Sequence, residues 1–197
     1  MASLYLDESL DASAFAVGST LSIEGDDARH AVQVARVKVG ERIAIGDGRG
    51  RIARGAVIEA SPRSVAIHID EIEDSPLPTP RIRLVQALAK GDRDELAVQA
   101  ATELGVAEVV PWAATRSISR WDGAKAQRGR ARWATIAREA AKQSIRSTVP
   151  LVAELATTAA IARLGGLVLV LDPAGSEPIS AVDLDGVEEL TLVVGPE

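Results

Sequence analysis

The chain contains no cysteine and only two histidines, His30 and His68, which lie in different segments. The absence of cysteine excludes disulfides, thiolate nucleophiles and zinc sites built on Cys, and it suits a reducing cytosol. Two separated histidines leave little material for a His-based centre, so no metal is expected. A long apolar run is also missing: the longest, residues 164–171, is far too short to span a bilayer and reads as a buried strand. The first 16 residues are interrupted by Asp7, Glu8 and Asp11 and lack the basic-then-apolar order of a secretion signal. A cytoplasmic protein is expected. No strand–GxGxxG–helix unit occurs, which sets aside a dinucleotide-dependent oxidoreductase.

What is present is globular composition: 197 residues, 47% hydrophobic and 25% charged, enough for one sizeable domain or two small ones. The net charge of −6 is unevenly distributed. Residues 115–150 carry nine basic and two acidic side chains, whereas residues 151–197 carry one and eight. Inside the acidic first 80 residues, the stretch 29–54 is itself basic, with seven positive and two negative residues. Two basic surfaces on an acidic chain point to a polyanion touched at two places, although solvated helix and hairpin faces would give the same pattern.

Residues 1–73 read as a small β-rich unit, with short alternating or β-branched runs at 3–6, 20–23, 42–45, 51–58 and 64–69. One helix interrupts them, capped by Asp26 or Asp27, carrying Ala31, Val32, Val34 and Ala35, and ending at Val39-Gly40. The glycine-rich run 46–50 has strand-like residues on both sides and no following helix, so it predicts a hairpin turn and not a phosphate loop. Residues 74–80 contain three prolines and form a linker. Residues 81–197 then alternate strand and helix, the pattern of an α/β domain with a mostly parallel sheet. Strands are predicted at 82–88, 107–112, 167–171 and 190–194, and helices at 93–104, about 125–145 and 158–164.

The segment from Lys90 to Arg146 holds the residues that invite a chemical reading. Asp92 and Glu95 have capping-box spacing, and the helix that follows is expected to bury Leu96, Ala97, Ala100, Ala101 and Leu104 at the 3.6-residue period and to stop at Gly105. Lys90 is the residue this structural account explains least. On the long helix, Trp133, Ala137, Ala140 and Ser144 take core spacing, while Arg132, Glu139, Gln143 and Arg146 share another face. That second face is either a surface ion-pair ladder or a polar wall that holds phosphates and a base. Two strand ends, Leu171-Asp172-Pro173 and Gly195-Pro196-Glu197, have the form of loops at the carboxyl edge of a parallel sheet, where ligands of such folds bind.

Three groups of residues form an ordered series: Gln86-x-x-x-Lys90-Gly91-Asp92-Arg93-x-Glu95; Gln99-x-x-x-Glu103-Leu104-Gly105-Val106 with Pro111 and Arg116-Ser117; and Arg132-Trp133, Glu139-Ala140-x-x-Gln143-Ser144-x-Arg146-x-x-Val149-Pro150 and Gly195-Pro196-Glu197. With His30, Val34-x-Arg36, Gly40-Glu41 and Asp47-Gly48, the series resembles the RsmE-type 16S ribosomal RNA (uracil-N3) methyltransferases of the SPOUT class over essentially the whole chain. The resemblance implies an N-terminal PUA-like β-barrel, a SPOUT-type α/β domain, S-adenosyl-L-methionine as methyl donor, a uridine of the small ribosomal subunit as acceptor, and a homodimer. It implies cofactor contacts at Leu171, Asp172, Pro173, Gly195, Pro196 and Glu197, with Glu197 as candidate base. RNA contacts fall to Lys90, Arg116, Arg132, Gln143 and Arg146, and in the barrel to Arg36, Arg49 and Arg51. Family members continue past the Gly-Pro-Glu motif into a segment that completes a trefoil knot. The knot is therefore expected to be incomplete in these 197 residues, and this form to have little or no activity. Many members also carry an Arg before the first strand's aromatic residue, where this chain has Ser3 and Leu4 ahead of Tyr5. The rival reading is a non-catalytic RNA-binding adaptor on the ribosome.

Overall fold

The computed structural model describes residues 3–175 and 177–196. Two compact units are present: one runs to Pro76 and takes in Ala141–Thr148, the other comprises Leu77–Ala140 and the chain from Val149 on. No helix among the described residues is long and apolar enough to cross a membrane.

The first unit is a five-stranded sheet of β1 (Leu4–Leu6), β2 (Thr20–Glu24), β3 (Arg42–Gly46), β4 (Arg51–Ala60) and β5 (Ser64–Asp74), with helix α1 (Gly25–Gln33) after β2. The strand order is β1-β3-β4-β5-β2; β1 joins β3 in parallel and the remaining pairs are antiparallel. Alternation along the strands sends Ile23, Ile45, Val57, Val65, Ile67 and Ile69 inward with Tyr5, and Ala28 and Ala31 of α1 close the core. Register shifts at Arg54/Gly55 and Val57/Glu59 insert extra residues into the long β4–β5 pair, which bends the strands and curls the sheet into a half-barrel. Gly55 sits where a Cβ would lie 1.9 Å from the His68 carbonyl oxygen, so only glycine fits.

Two details of this unit differ from expectation. Helix α1 is capped by Glu24 without a side-chain bond, and Asp26 and Asp27 lie in its first turn, where the helix dipole favours them. The helix also stops well before Gly40, because Arg36 takes a left-handed conformation (φ 57°) and the Val37 amide bonds back to Ala31 at 3.0 Å.

The second unit is a parallel sheet of β6 (Arg81–Ala87), β7 (Glu108–Trp112), β8 (Leu151–Val152), β9 (Leu167–Leu171) and β10 (Glu189–Val194). Helices α2 (Arg93–Leu104), α3 (Ala124–Gln143) and α4 (Thr158–Ile161) connect the first four strands in turn. One face packs Leu84, Leu88 and Val109 under Val98 of α2 and Trp133 and Ala137 of α3; the other packs Val85, Val110 and Val193 with Ile161 of α4. The order β8-β7-β6-β10-β9 reverses between β6 and β10. That reversal is the position at which open α/β sheets leave a crevice for ligands.

Helix α2 corrects the amphipathic reading most clearly. The buried stripe is Asp94, Val98 and Thr102, while Leu96 and Leu104 are 57% and 82% exposed. Asp94 accepts from the Ala89 amide at 3.1 Å and the Glu95 amide at 2.9 Å, and Thr102 Oγ1 donates to the Val98 carbonyl at 2.8 Å. These bonds make a polar stripe suitable for burial, which hydrophobicity alone does not reveal. The capping box is not formed. Asp92 makes no side-chain cap bond, and Glu95 turns to Arg132. Gly105 closes the helix as predicted, at φ 96°.

Candidate active site

Strand register carries the carboxyl ends of three neighbouring strands to one level. Val194 of β10 pairs with Gln86 of β6 on one side and Leu171 of β9 on the other. With strands about 4.8 Å apart, the Cα atoms of Gln86 and Leu171 are separated by roughly 10 Å. Each strand then runs into a loop: Leu88-Ala89-Lys90 after β6, Asp172-Pro173 after β9 and Gly195-Pro196 after β10.

Two cavities open along this edge. The first, about 700 Å³, lies beside β9 and is lined by Val170, Leu171, Asp172, Pro173, Glu177 and Ile179 among others. Its walls are apolar and its two charged lining residues are acidic. Asp172 Oδ1 accepts from the Ala174 amide at 2.8 Å and its carbonyl accepts from Gly175 at 2.9 Å, which shapes the loop into a tight turn. The second, about 400 Å³, sits at the β6–β10 reversal and includes Gln86, Lys90, Arg93, Ile118, Gly195 and Pro196 in its lining. Its charged groups are basic. The neighbouring cavities thus carry opposite charge, the first suiting a cationic molecule and the second an anionic one.

The sequence-predicted residues divide accordingly. Leu171, Asp172 and Pro173 line the first cavity, and Lys90, Gly195 and Pro196 line the second. Glu197 lies outside the described residues. Lys90 and Arg116 are exposed, and neither has a protein partner among the described residues. Arg132 is held by Glu95, with Nη2 at 2.9 Å and Nε at 3.2 Å from the carboxylate, and this pairing raises the Arg132 pKa. The expected face of Arg132 with Glu139 therefore includes a partner from α2 that helical spacing cannot show.

In the first unit Arg36 is exposed at the end of α1. Arg49 donates to the Glu8 carbonyl at 2.7 Å and to the Leu10 carbonyl, and Arg51 pairs with Asp74 at 3.2 Å. Both flank Asp47, a buried carboxylate whose Oδ1 accepts from the Arg49 and Arg51 amides at 2.7 and 3.0 Å. The 46–50 run is thus a hairpin turn held by its own aspartate. Gln143 is exposed and Arg146 half-buried, on either side of Ile145, which has φ 53°. A β-branched residue in this region is strained, and the Arg146 amide stabilises the turn by bonding to Ala141 at 2.9 Å. Lys142 forms a half-buried ion pair with Asp27 at 3.0 Å, so one charge of the basic stretch has a structural role.

Sequence reasoning assigned no role to Gln86, Arg93 or Ile118. Gln86 heads the first motif, but only the strand order brings it to the same cavity as the β10 loop.

Residues 75–197 match the model of an RNA methyltransferase domain, and residues 23–70 that of an RNA methyltransferase PUA domain. Ribosomal RNA small subunit methyltransferase E of Mycobacterium bovis is 36% identical over 187 residues, 91% of this chain and 71% of that protein. The Bacillus subtilis protein of the same name is 36% identical over 138 residues, 69% of this chain and 54% of its own length. Among solved structures, ribosomal RNA small subunit methyltransferase E of Neisseria gonorrhoeae, bound to S-adenosyl methionine, superposes with a TM-score of 0.81 at 24% identity, covering 100% of this chain and 80% of its own. A Legionella pneumophila protein solved in complex with the cofactor SAM gives 0.84 at 22% identity, covering 100% and 81%. At these identities the structures establish the fold, a PUA-like half-barrel followed by a SPOUT-type α/β domain. The matched domain models and the 36% identity across nine-tenths of the chain carry the family assignment: the chain belongs to the RsmE-type family, the ribosomal RNA small subunit methyltransferases E.

Proposed function

We propose that this chain methylates N3 of a uridine in 16S ribosomal RNA, using S-adenosyl-L-methionine. The observation that carries the reading is the pair of oppositely charged cavities at one sheet edge, β10 lying between them. The relatives' names and the SAM-bound neighbours support the same donor and the same class of acceptor.

Leu171, Asp172 and Pro173 would hold the cofactor, together with Gly195 and Pro196 and with Glu197. When bound, the cofactor supplies an electrophilic methyl group on a sulfonium. The acidic lining by Asp172 and Glu177 fits that positive charge, and the apolar strand fits a flat base. Lys90 and Arg93 line the side from which an anionic nucleotide would approach. The main catalytic contribution is alignment of two bound partners. Glu197 is the candidate base that would take the uridine N3 proton and so free N3 to accept the methyl group that the bound cofactor would supply. The target base must be splayed from its stack to reach the edge.

Arg36, Lys90, Arg116, Gln143 and Arg146 are proposed to hold RNA. Arg49, Arg51 and Arg132 would join them by exchanging their present protein partners for phosphates. A homodimer is proposed as well: Leu96, Ala100 and Leu104 form an exposed apolar stripe on α2 suited to a second copy. Light scattering tests the dimer. Calorimetry with S-adenosyl-L-methionine tests the enzyme reading: saturable binding supports it, and its absence alongside intact RNA binding would favour the adaptor.

A further inference from the structure

One buried polar group at the second cavity has an incomplete set of partners. Gln86 is 6% exposed and lines the cavity. Its Nε2 donates to the Ala87 carbonyl at 3.1 Å, while Oε1 and the second Nε2 hydrogen have no protein partner among the described residues. A buried amide left half-bonded at a cavity wall calls for a ligand. Its orientation is also fixed: a flip would set Oε1 against the Ala87 carbonyl, two acceptors face to face.

Building on the proposed methyltransferase reading, we propose that Gln86 is a specificity-determining residue that offers its free Nε2 hydrogen to O4 of the target uracil. Cytosine carries an amino group at that position, a donor facing a donor, and the pinned amide cannot turn to receive it. When N3 loses its proton, the negative charge spreads onto the flanking carbonyl oxygens, so the same hydrogen bond is strongest in the anion that accepts the methyl group. The location fits a base better than the cofactor. The cavity lies at the β6–β10 reversal with Lys90 and Arg93 in its wall, which repel a sulfonium and attract a nucleotide phosphate.

Gln86→Met keeps the side-chain length and removes the hydrogen bond. In single-turnover methyl transfer to small ribosomal subunits, with enzyme in excess so that slow chemistry registers, it should lower the rate by about 10- to 100-fold. Affinity for S-adenosylhomocysteine, read by calorimetry, should change less than about twofold. On the unmutated chain, the Gln86 side-chain amide resonances should move when uridine 5′-monophosphate is titrated in the presence of S-adenosylhomocysteine, and stay in place with cytidine 5′-monophosphate. An unchanged rate, a matching loss of S-adenosylhomocysteine affinity, or equal response to the two nucleotides would each overturn the assignment. If the unmutated chain transfers no methyl to RNA, the proposed function fails instead, and the nucleotide titration still decides the role of Gln86.

Discussion

Arginines of the curled first sheet and basic residues at the edge of the second are chemically alike, but their surroundings differ. Arg49 closes onto the Glu8 and Leu10 carbonyls, Arg51 onto Asp74, and Arg54 onto Glu73 at 3.1 Å. Lys90 and Arg116 stand exposed without a protein partner among the described residues. A guanidinium that already saturates carbonyls must surrender those bonds before it can hold a phosphate, whereas a solvated ammonium gives up only water. Arg49, Arg51 and Arg54 therefore tie a small sheet together in the RNA-free chain, whereas Lys90 and Arg116 present charge ready for a ligand.

The largest expected effect breaks the first side of this comparison. Gly55→Ala drives a Cβ into the His68 carbonyl at a β-bulge, where neither backbone can yield. Destabilisation of the half-barrel by about 4 kcal/mol or more is expected in denaturant titration. Next, Lys90→Ala and Arg116→Ala should each lower kcat/KM for ribosomal RNA by about tenfold and leave stability within about 0.5 kcal/mol. Arg49→Ala should show the reverse pattern. Its half-exposed side chain limits the stability loss to about 1–2 kcal/mol, with less effect on RNA kinetics than Lys90→Ala.

The smallest effect concerns Asp94, whose pKa burial raises above the usual carboxylate value of 3.8 despite the Ala89 and Glu95 amides. With the folded value above the unfolded one, its stabilising contribution is complete below pH 3.8 and is lost as pH rises through the folded pKa. The stability of the unmutated chain relative to Asp94→Asn should therefore fall as pH rises across the acid range and then level off. A flat difference would place the carboxyl in solvent.

Much of this architecture could be read from the chain because its signals are local. Alternating β-branched residues mark the strands, Gly105 ends α2, and the absence of a helix after residues 46–50 identifies a hairpin. Long-range pairings were invisible: Glu95 with Arg132, Asp27 with Lys142, and the buried Asp94–Val98–Thr102 stripe that leaves Leu96 and Leu104 outside. Site residues on the β9 and β10 loops were recognisable as strand ends. Gln86 required knowledge that β10 inserts beside β6, a strand more than 100 residues earlier.

On the reading proposed above, the second sheet's edge brings a methyl donor to a uridine of small-subunit RNA. The most direct test of this reading is transfer of radiolabelled methyl from S-adenosyl-L-methionine to small ribosomal subunits under single-turnover conditions, followed by nucleoside analysis. Label in 3-methyluridine, diminished by Lys90→Ala, is the predicted result. Label in another nucleoside, or none in RNA despite saturable cofactor binding, would contradict the account.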